Sequence, residues 1–356
     1  MSVAGSTKSP SEAGSAGVQR LEPEGDPFRA DFLQQDCVHG WWRLSSWAFG
    51  LLTLLALVMV VVHFGTLEQF TRLALGVTPY WLLLACLAQA ATYVCAALVW
   101  RQALDRAGYP RSLRVLIPLG VAKLFTDQVV PTSGVSGAIL VARGLTRRKV
   151  PPHVAMGALM VGLVSYFAAY LASVLTSLGI LGLHHHANIG LVLAVAIFVV
   201  IVVAIPSGVL WAKQWGHRLP VHWVRRLPGA AHLLRAIAES PTDLLLDPVL
   251  LAETIALEFS VFALDALTLW LMFRALGAEP ALWVAYASFV MASMAATLGP
   301  IPLGLGTFEA GCVGMLSLLG VGVETALAAT VLLRGLTFWL PMLPGLWLAR
   351  VELRQA

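Results

Sequence analysis

Lys123, Asp127, Glu258, Asp265, Glu309 and Arg334 are ionisable side chains that stand inside apolar runs. A charge at bilayer depth costs about 2.5–3.5 kcal/mol on the insertion scale, so each of them is read first as part of a functional pathway. Lys123 and Asp127 are four residues apart and can neutralise one another on one helix. Glu258 and Asp265 are seven apart, two helical turns, and share a face. Asp265 and Arg334 both fall roughly 12 Å from the outer ends of their helices, and Glu309 belongs to the same half. Arg334 therefore has two candidate partners, Asp265 and Glu309, while Lys123 has Asp127 and, deeper in its half, Glu258. Four carboxylates against two bases suit a cationic headgroup or a coupling proton. A purely structural ion-pair network is the alternative.

The elements that must position these groups are membrane spans. Hydrophobic residues make up 58% of the 356-residue chain and charged residues 12%. Six runs reach the roughly 20 residues that a bilayer requires: Leu44–Phe64, Tyr80–Trp100, Val154–Leu181, Ile189–Trp211, Val249–Phe273 and Ala326–Trp347. Two further apolar stretches are broken. Val115–Val141 contains Pro131, Gly134 and Gly137, and Trp283–Leu319 contains Gly299–Glu309, with Pro300, Pro302, Gly304 and Gly306. Proline removes amide donors and glycine disfavours helix, so neither stretch can continue as one helix. Backbone freed at membrane depth must be buried in protein or line a wet cavity. The limbs fall short of a 30 Å hydrocarbon core, and both stretches are read as re-entrant hairpins; two full spans at each place, giving 8–10 transmembrane helices, is the alternative.

Basic residues orient the chain. Arg101, Arg106, Arg111 and Arg114 precede the first hairpin, and Arg143, Arg147, Arg148 and Lys149 follow it. The positive-inside rule places both clusters, the loop 212–248 and both termini in the cytoplasm. The second hairpin then enters from the opposite face. Two broken stretches entering from opposite faces point to an inverted repeat, here about 44–181 and 189–350, with a site near the midplane. The expected fold class is thus an all-α polytopic membrane protein. One membrane domain covers 41–350, behind a disordered tail over 1–40 that lacks bulky apolar residues. The loop 212–248, with Trp211, Trp215, Trp223 and interspersed arginines at its start, reads as a segment lying on the inner leaflet.

The small-residue run GPIPLGLGTFE at Gly299–Glu309, followed by Arg334-Gly-Leu-Thr-Phe-Trp and the Pro341-x-x-Pro344-Gly345 end, resembles the membrane domain of lysylphosphatidylglycerol synthases. In those proteins the domain is the lipid-translocating half, and an aminoacyl-transferase domain follows it. That part is expected to be missing here, so the resemblance implies lipid handling without lipid aminoacylation; an inner-membrane protein rather than an enzyme is expected.

The expected function is translocation of a phospholipid or lipid-linked molecule between leaflets. Alternatives are an intramembrane transferase on a polyprenyl- or phospholipid-linked substrate, for which Asp243 and Asp247 are the nearest acidic pair, and a small-solute transporter. Partners expected are membrane lipids, with a second copy or a separate lipid-modifying enzyme; no nucleic-acid motif is present. No cofactor is implied. His184, His185 and His186 are adjacent, so their side chains diverge, and they read as an outer loop rather than a metal centre.

Overall fold

A computed structural model describes residues 78–129, 135–186, 188–215, 242–299 and 304–354. The tail 1–40 and the run Leu44–Phe64 lie outside the described residues, as does most of the loop 212–248. Among the described residues every regular element is helical.

The chain begins with α1, Pro79–Arg106, whose proline sits at the first helical position, where its missing N–H costs nothing. Two short helices follow, α2 (Leu113–Val129) and α3 (Val135–Arg147), then the long α4 (Pro152–Leu183) and α5 (Ile189–Trp215). After the undescribed segment come the single turn α6 (Thr242–Leu246) and the long α7 (Pro248–Ala275). Another short pair, α8 (Leu282–Leu298) and α9 (Thr307–Leu318), leads to α10 (Val323–Arg334). A π-helical turn over Gly335–Trp339 joins α10 to α11 (Leu340–Arg354) without breaking the rod. There the Leu340 N–H reaches back five residues to the Gly335 carbonyl. The extra residue makes room for Pro341, which has no N–H to offer. Among the described residues, four helices are long and apolar enough to cross a membrane: α1, α4, α7 and Val323–Arg350.

Lengths and packing repeat. α1 and α7 are 28 residues each, α2 and α8 are 17, and α3 and α9 are 13 and 12. In both sets the long helix packs on the first short one, the short pair pack on each other, and the second short helix packs on the next rod. The equivalent helices α1 and α7 are close partners and run in opposite directions. At one end the Thr78 N–H bonds the Ala275 carbonyl at 3.1 Å. At the other, Arg106 of α1 meets Asp247, the N-cap of α7. The two short pairs accordingly open toward opposite ends.

The ends differ in charge. At the end of α1 where Arg106 meets Asp247, the chain carries Arg101, Arg106, Arg111 and Arg114, and after α3 come Arg147, Arg148 and Lys149; Arg111 bridges the base of the first pair by donating to the Arg148 carbonyl at 2.5 Å. The other end has Arg274, paired with Glu279 at 2.5 Å and held over Trp81 and Trp270.

At 1.5 Å per residue the short helices measure about 25 Å and about 18–20 Å, so no single limb matches the roughly 42 Å of α1. Two apolar cores result. One gathers the second half of α4 and of α7 with α5, α8, α9 and α10; the other gathers the second half of α1 with α2, α3 and the first half of α4. Between them the seam runs through 89–96 on α1, 162–168 on α4 and 251–265 on α7.

Candidate functional site

Each short pair is held at its break by a carboxylate that uses both oxygens. In the second, Glu309 lies in the first turn of α9 and is 5% exposed. Its Oε2 accepts the Gly306 N–H at 2.6 Å, and its Oε1 lies 2.7 Å from Arg334 Nε. The Nε–H does not point along that line, so the contact is an ion pair rather than a linear hydrogen bond. The Arg334 guanidinium also lies 4.2 Å from the centre of the Phe308 ring and 5.7 Å from that of Phe338, and donates to the Gly304 carbonyl at 3.5 Å. Gly304 and Gly306 adopt φ of +62° and +84°, conformations in which a side chain is strained. A Cβ on Gly304 would also come 2.7 Å from that of Ala296.

In the first pair, Asp127 on α2 accepts the Gly137 N–H of α3 at 2.9 Å through Oδ1 and meets Lys123 at 2.6 Å through Oδ2. A Cβ on Gly137 would press into these same two side chains, 2.6 Å from Lys123 Cγ. A Cβ there would therefore require the Lys123 and Asp127 side chains to shift. Pro131, Gly134, Pro300 and Pro302, at the two turns themselves, lie outside the described residues.

Of the two candidate partners for Arg334, the structure selects Glu309. Asp265 shares the depth but not the face: it sits on α7 beside Gln89 of α1, with Tyr93 and Tyr166 within electrostatic reach. Its Oδ1 is buried without a hydrogen-bond partner. Glu258, two turns earlier, lies within reach of Lys123, Cys95 and Tyr166. The carboxylates of α7 thus face the seam, and Lys123 links the first pair to it.

Aromatic side chains line the same place. Tyr166 packs on Phe167, Tyr170 and Phe262 at centroid distances of 5.4, 5.8 and 5.7 Å, yet remains 39% exposed. That exposed face lies where α4 meets α7. Tyr170 is buried next to it, stacked on Phe262 and sharing a 2.9 Å hydrogen bond with Thr297. Ser165 and Thr254 tie α4 to α7 at 2.7 Å. Gln89, Tyr93, Tyr166 and Tyr170 were not singled out from sequence. Gln89, an amide within an apolar run and three residues before Thr92, was the available signal; tyrosines four apart read equally well as core.

Asp247 has a different occupation. It caps α7, accepting the Val249 and Leu250 N–H groups at 3.0 and 3.1 Å. The Leu250 amide above all, and the Arg106 charge after it, hold its carboxyl below the usual aspartate range. The acidic pair that a transferase would need therefore has one member committed to helix capping. His184 stacks on Trp283 at 4.0 Å with the rings 6° apart.

The chain matches the lysylphosphatidylglycerol synthase TM region family over residues 47–345. Comparison with curated proteins gives no match.

Proposed function

We propose that this chain, which belongs to the lysylphosphatidylglycerol synthase TM region family, moves a phospholipid or lipid-linked molecule between the leaflets of the cytoplasmic membrane. A lipid-related membrane role follows from the family; the translocation step is our reading. The observation that carries it is the seam, where Glu258, Asp265, Gln89, Tyr93 and the exposed face of Tyr166 meet inside an otherwise apolar bundle. A headgroup pays heavily to enter hydrocarbon, whereas a lipid whose headgroup follows a polar groove can keep its acyl chains in the bilayer.

The arginine-rich end faces the cytoplasm in this reading, because positive-inside bias favours it there. The first pair then enters from inside and the second from outside, as inverted repeats around a central site do. Chemical labelling of the outer leaflet, in cells with and without the protein, tests the proposal. One lipid class should change its leaflet distribution at constant total amount. A changed total with a new lipid species would instead favour an enzyme acting on a lipid-linked donor.

A further inference from the structure

In the seam, Gln89 and Tyr93 of α1 crowd against Asp265 of α7, and Gln89 Oε1, Tyr93 Oη and Asp265 Oδ1 are buried outside hydrogen-bonding geometry. Gln89 is 7% exposed, and its position is fixed by Thr92. The Thr92 hydroxyl donates to the Gln89 carbonyl at 2.7 Å, so its lone pair must accept, and Gln89 Nε2 donates to it at 3.1 Å. The amide is therefore oriented, with Oε1 and the second Nε2–H left to it. The same Gln89 side chain neighbours both Tyr93 and Asp265. Buried oxygens in native proteins ordinarily have partners, so three together, with only the Tyr93 hydroxyl and the second Nε2–H to donate among them, mark a place with room for one more proton.

The charged and titratable surroundings narrow what that donor is. Glu258 lies two turns away on α7, and Tyr93 and Cys95 come from α1, Cys95 on the side of Glu258. Tyr166 comes from α4. Lys123 of α2 acts on Glu258, and Arg334 of α10 is held by Glu309. Asp265 is thus left a carboxylate without a base of its own among the described residues. A metal cation would draw on about six oxygens. α1 and α7 pass the place as unbroken helices, so their carbonyls are already engaged and the side chains fall short. A proton needs one oxygen to sit on and one acceptor to point at.

We propose that Asp265, framed by Gln89 and Tyr93, is a proton-binding site through which lipid movement is coupled to a proton gradient. The proton enters from the water at one end of the groove, sits on the Asp265 carboxylate with Gln89 Oε1 as acceptor, and leaves toward the other end. This rests on the translocation reading, and two measurements on the full chain in liposomes separate them.

Infrared difference spectra against pH read the site directly. The wild type should show the C=O stretch of a protonated carboxyl that titrates, Asp265→Asn should lose it, and Glu258→Gln should keep it. The same band in Asp265→Asn, or its removal by sodium at fixed pH, overturns the site. The final leaflet distribution of a labelled phospholipid reads the coupling. A gradient of one pH unit should drive up to about tenfold asymmetry at one proton per lipid in the wild type. Asp265→Asn should settle to equal leaflets. Wild-type exchange that ignores the gradient ends the coupling and leaves translocation standing. No exchange at all ends translocation and coupling together, and the infrared difference alone then supports or overturns the proton site.

Discussion

At the first broken stretch, Asp127 holds the approach of α3 with a base from its own helix, and the Lys123 and Asp127 side chains remain 32% and 20% exposed. At the second, Glu309 holds its turn with a base from the following rod, and the Arg334 and Glu309 side chains are 17% and 7% exposed. Both carboxylates give one oxygen to a glycine amide and the other to a cation, but they stand on opposite sides of their breaks. The first arrangement is complete within one hairpin. The second fastens the hairpin to α10 just before the π-turn, where Arg334 is also set between two phenyl rings. Similar lengths and packing therefore conceal different attachments: the second hairpin is anchored deep in the bundle, and the first keeps its charges against the seam, where Lys123 also reaches Glu258.

The largest test of that difference is removal of the bases. Arg334→Ala leaves Glu309 buried and unpaired, and should cost about 3–5 kcal/mol in denaturant unfolding of the purified protein. Lys123→Ala breaks a partly exposed pair and should cost about 1 kcal/mol or less. Equal losses would erase the distinction between the hairpins.

Glycine replacements should rank the two turns next. Gly304→Ala meets both a positive φ and Ala296, and should lose about 1–3 kcal/mol. Gly137→Ala meets only side chains, whose ends can swing aside, and should lose less. Thermal unfolding of the two variants compares them, and the opposite order would mean that the first break is the tighter one.

Double-mutant cycles sharpen the choice of partner. Arg334 with Glu309 should show a coupling of roughly 0.5–3 kcal/mol, whereas Arg334 with Asp265 should be additive within about 0.5 kcal/mol. Coupling to Asp265 would relocate the arginine.

The smallest effect belongs to the basic end. The Asp247 carboxyl is held low by the Leu250 amide and by Arg106. Its contribution is therefore fully present above the ordinary aspartate range, near pH 4, and is lost as pH falls through its own lower value. Asp247→Asn should flatten the acid limb of a stability–pH curve slightly and leave neutral pH almost unchanged. An unaltered acid limb would detach the cap from Arg106.

Much of this architecture was legible in the chain. Long apolar runs announce α1, α4 and α7 because a bilayer demands about 20 residues, and glycine–proline interruptions announce the short pairs because they forbid a continuous helix. Basic clusters beside the first pair indicated entry and exit at one end, and Arg111 joins that base directly. The partner of Arg334 was not legible: Asp265 and Glu309 share a depth, and depth carries no information about which helix faces which. The aromatic lining of the seam was hidden for a related reason. Tyr166 and Tyr170 stand in a run that is apolar on every face, so only the packing of α4 against α7 shows which tyrosine is covered. The π-turn had a trace in Pro341, seven residues after Arg334, although proline there is also compatible with a simple kink.

The central claim is that a headgroup crosses the bilayer along this groove, and leaflet exchange of labelled phospholipids in liposomes containing the purified protein measures it most directly. Polar partners that offset even about 4 kcal/mol of the crossing barrier would raise the rate about a thousandfold. Wild-type protein should therefore accelerate exchange of at least one lipid class by that order, and Glu258→Gln, which keeps the shape and removes a charge from the seam, should slow it while remaining folded. Exchange no faster than in protein-free liposomes, across cationic, anionic and polyprenyl-linked lipids and with a proton gradient applied, would contradict the account.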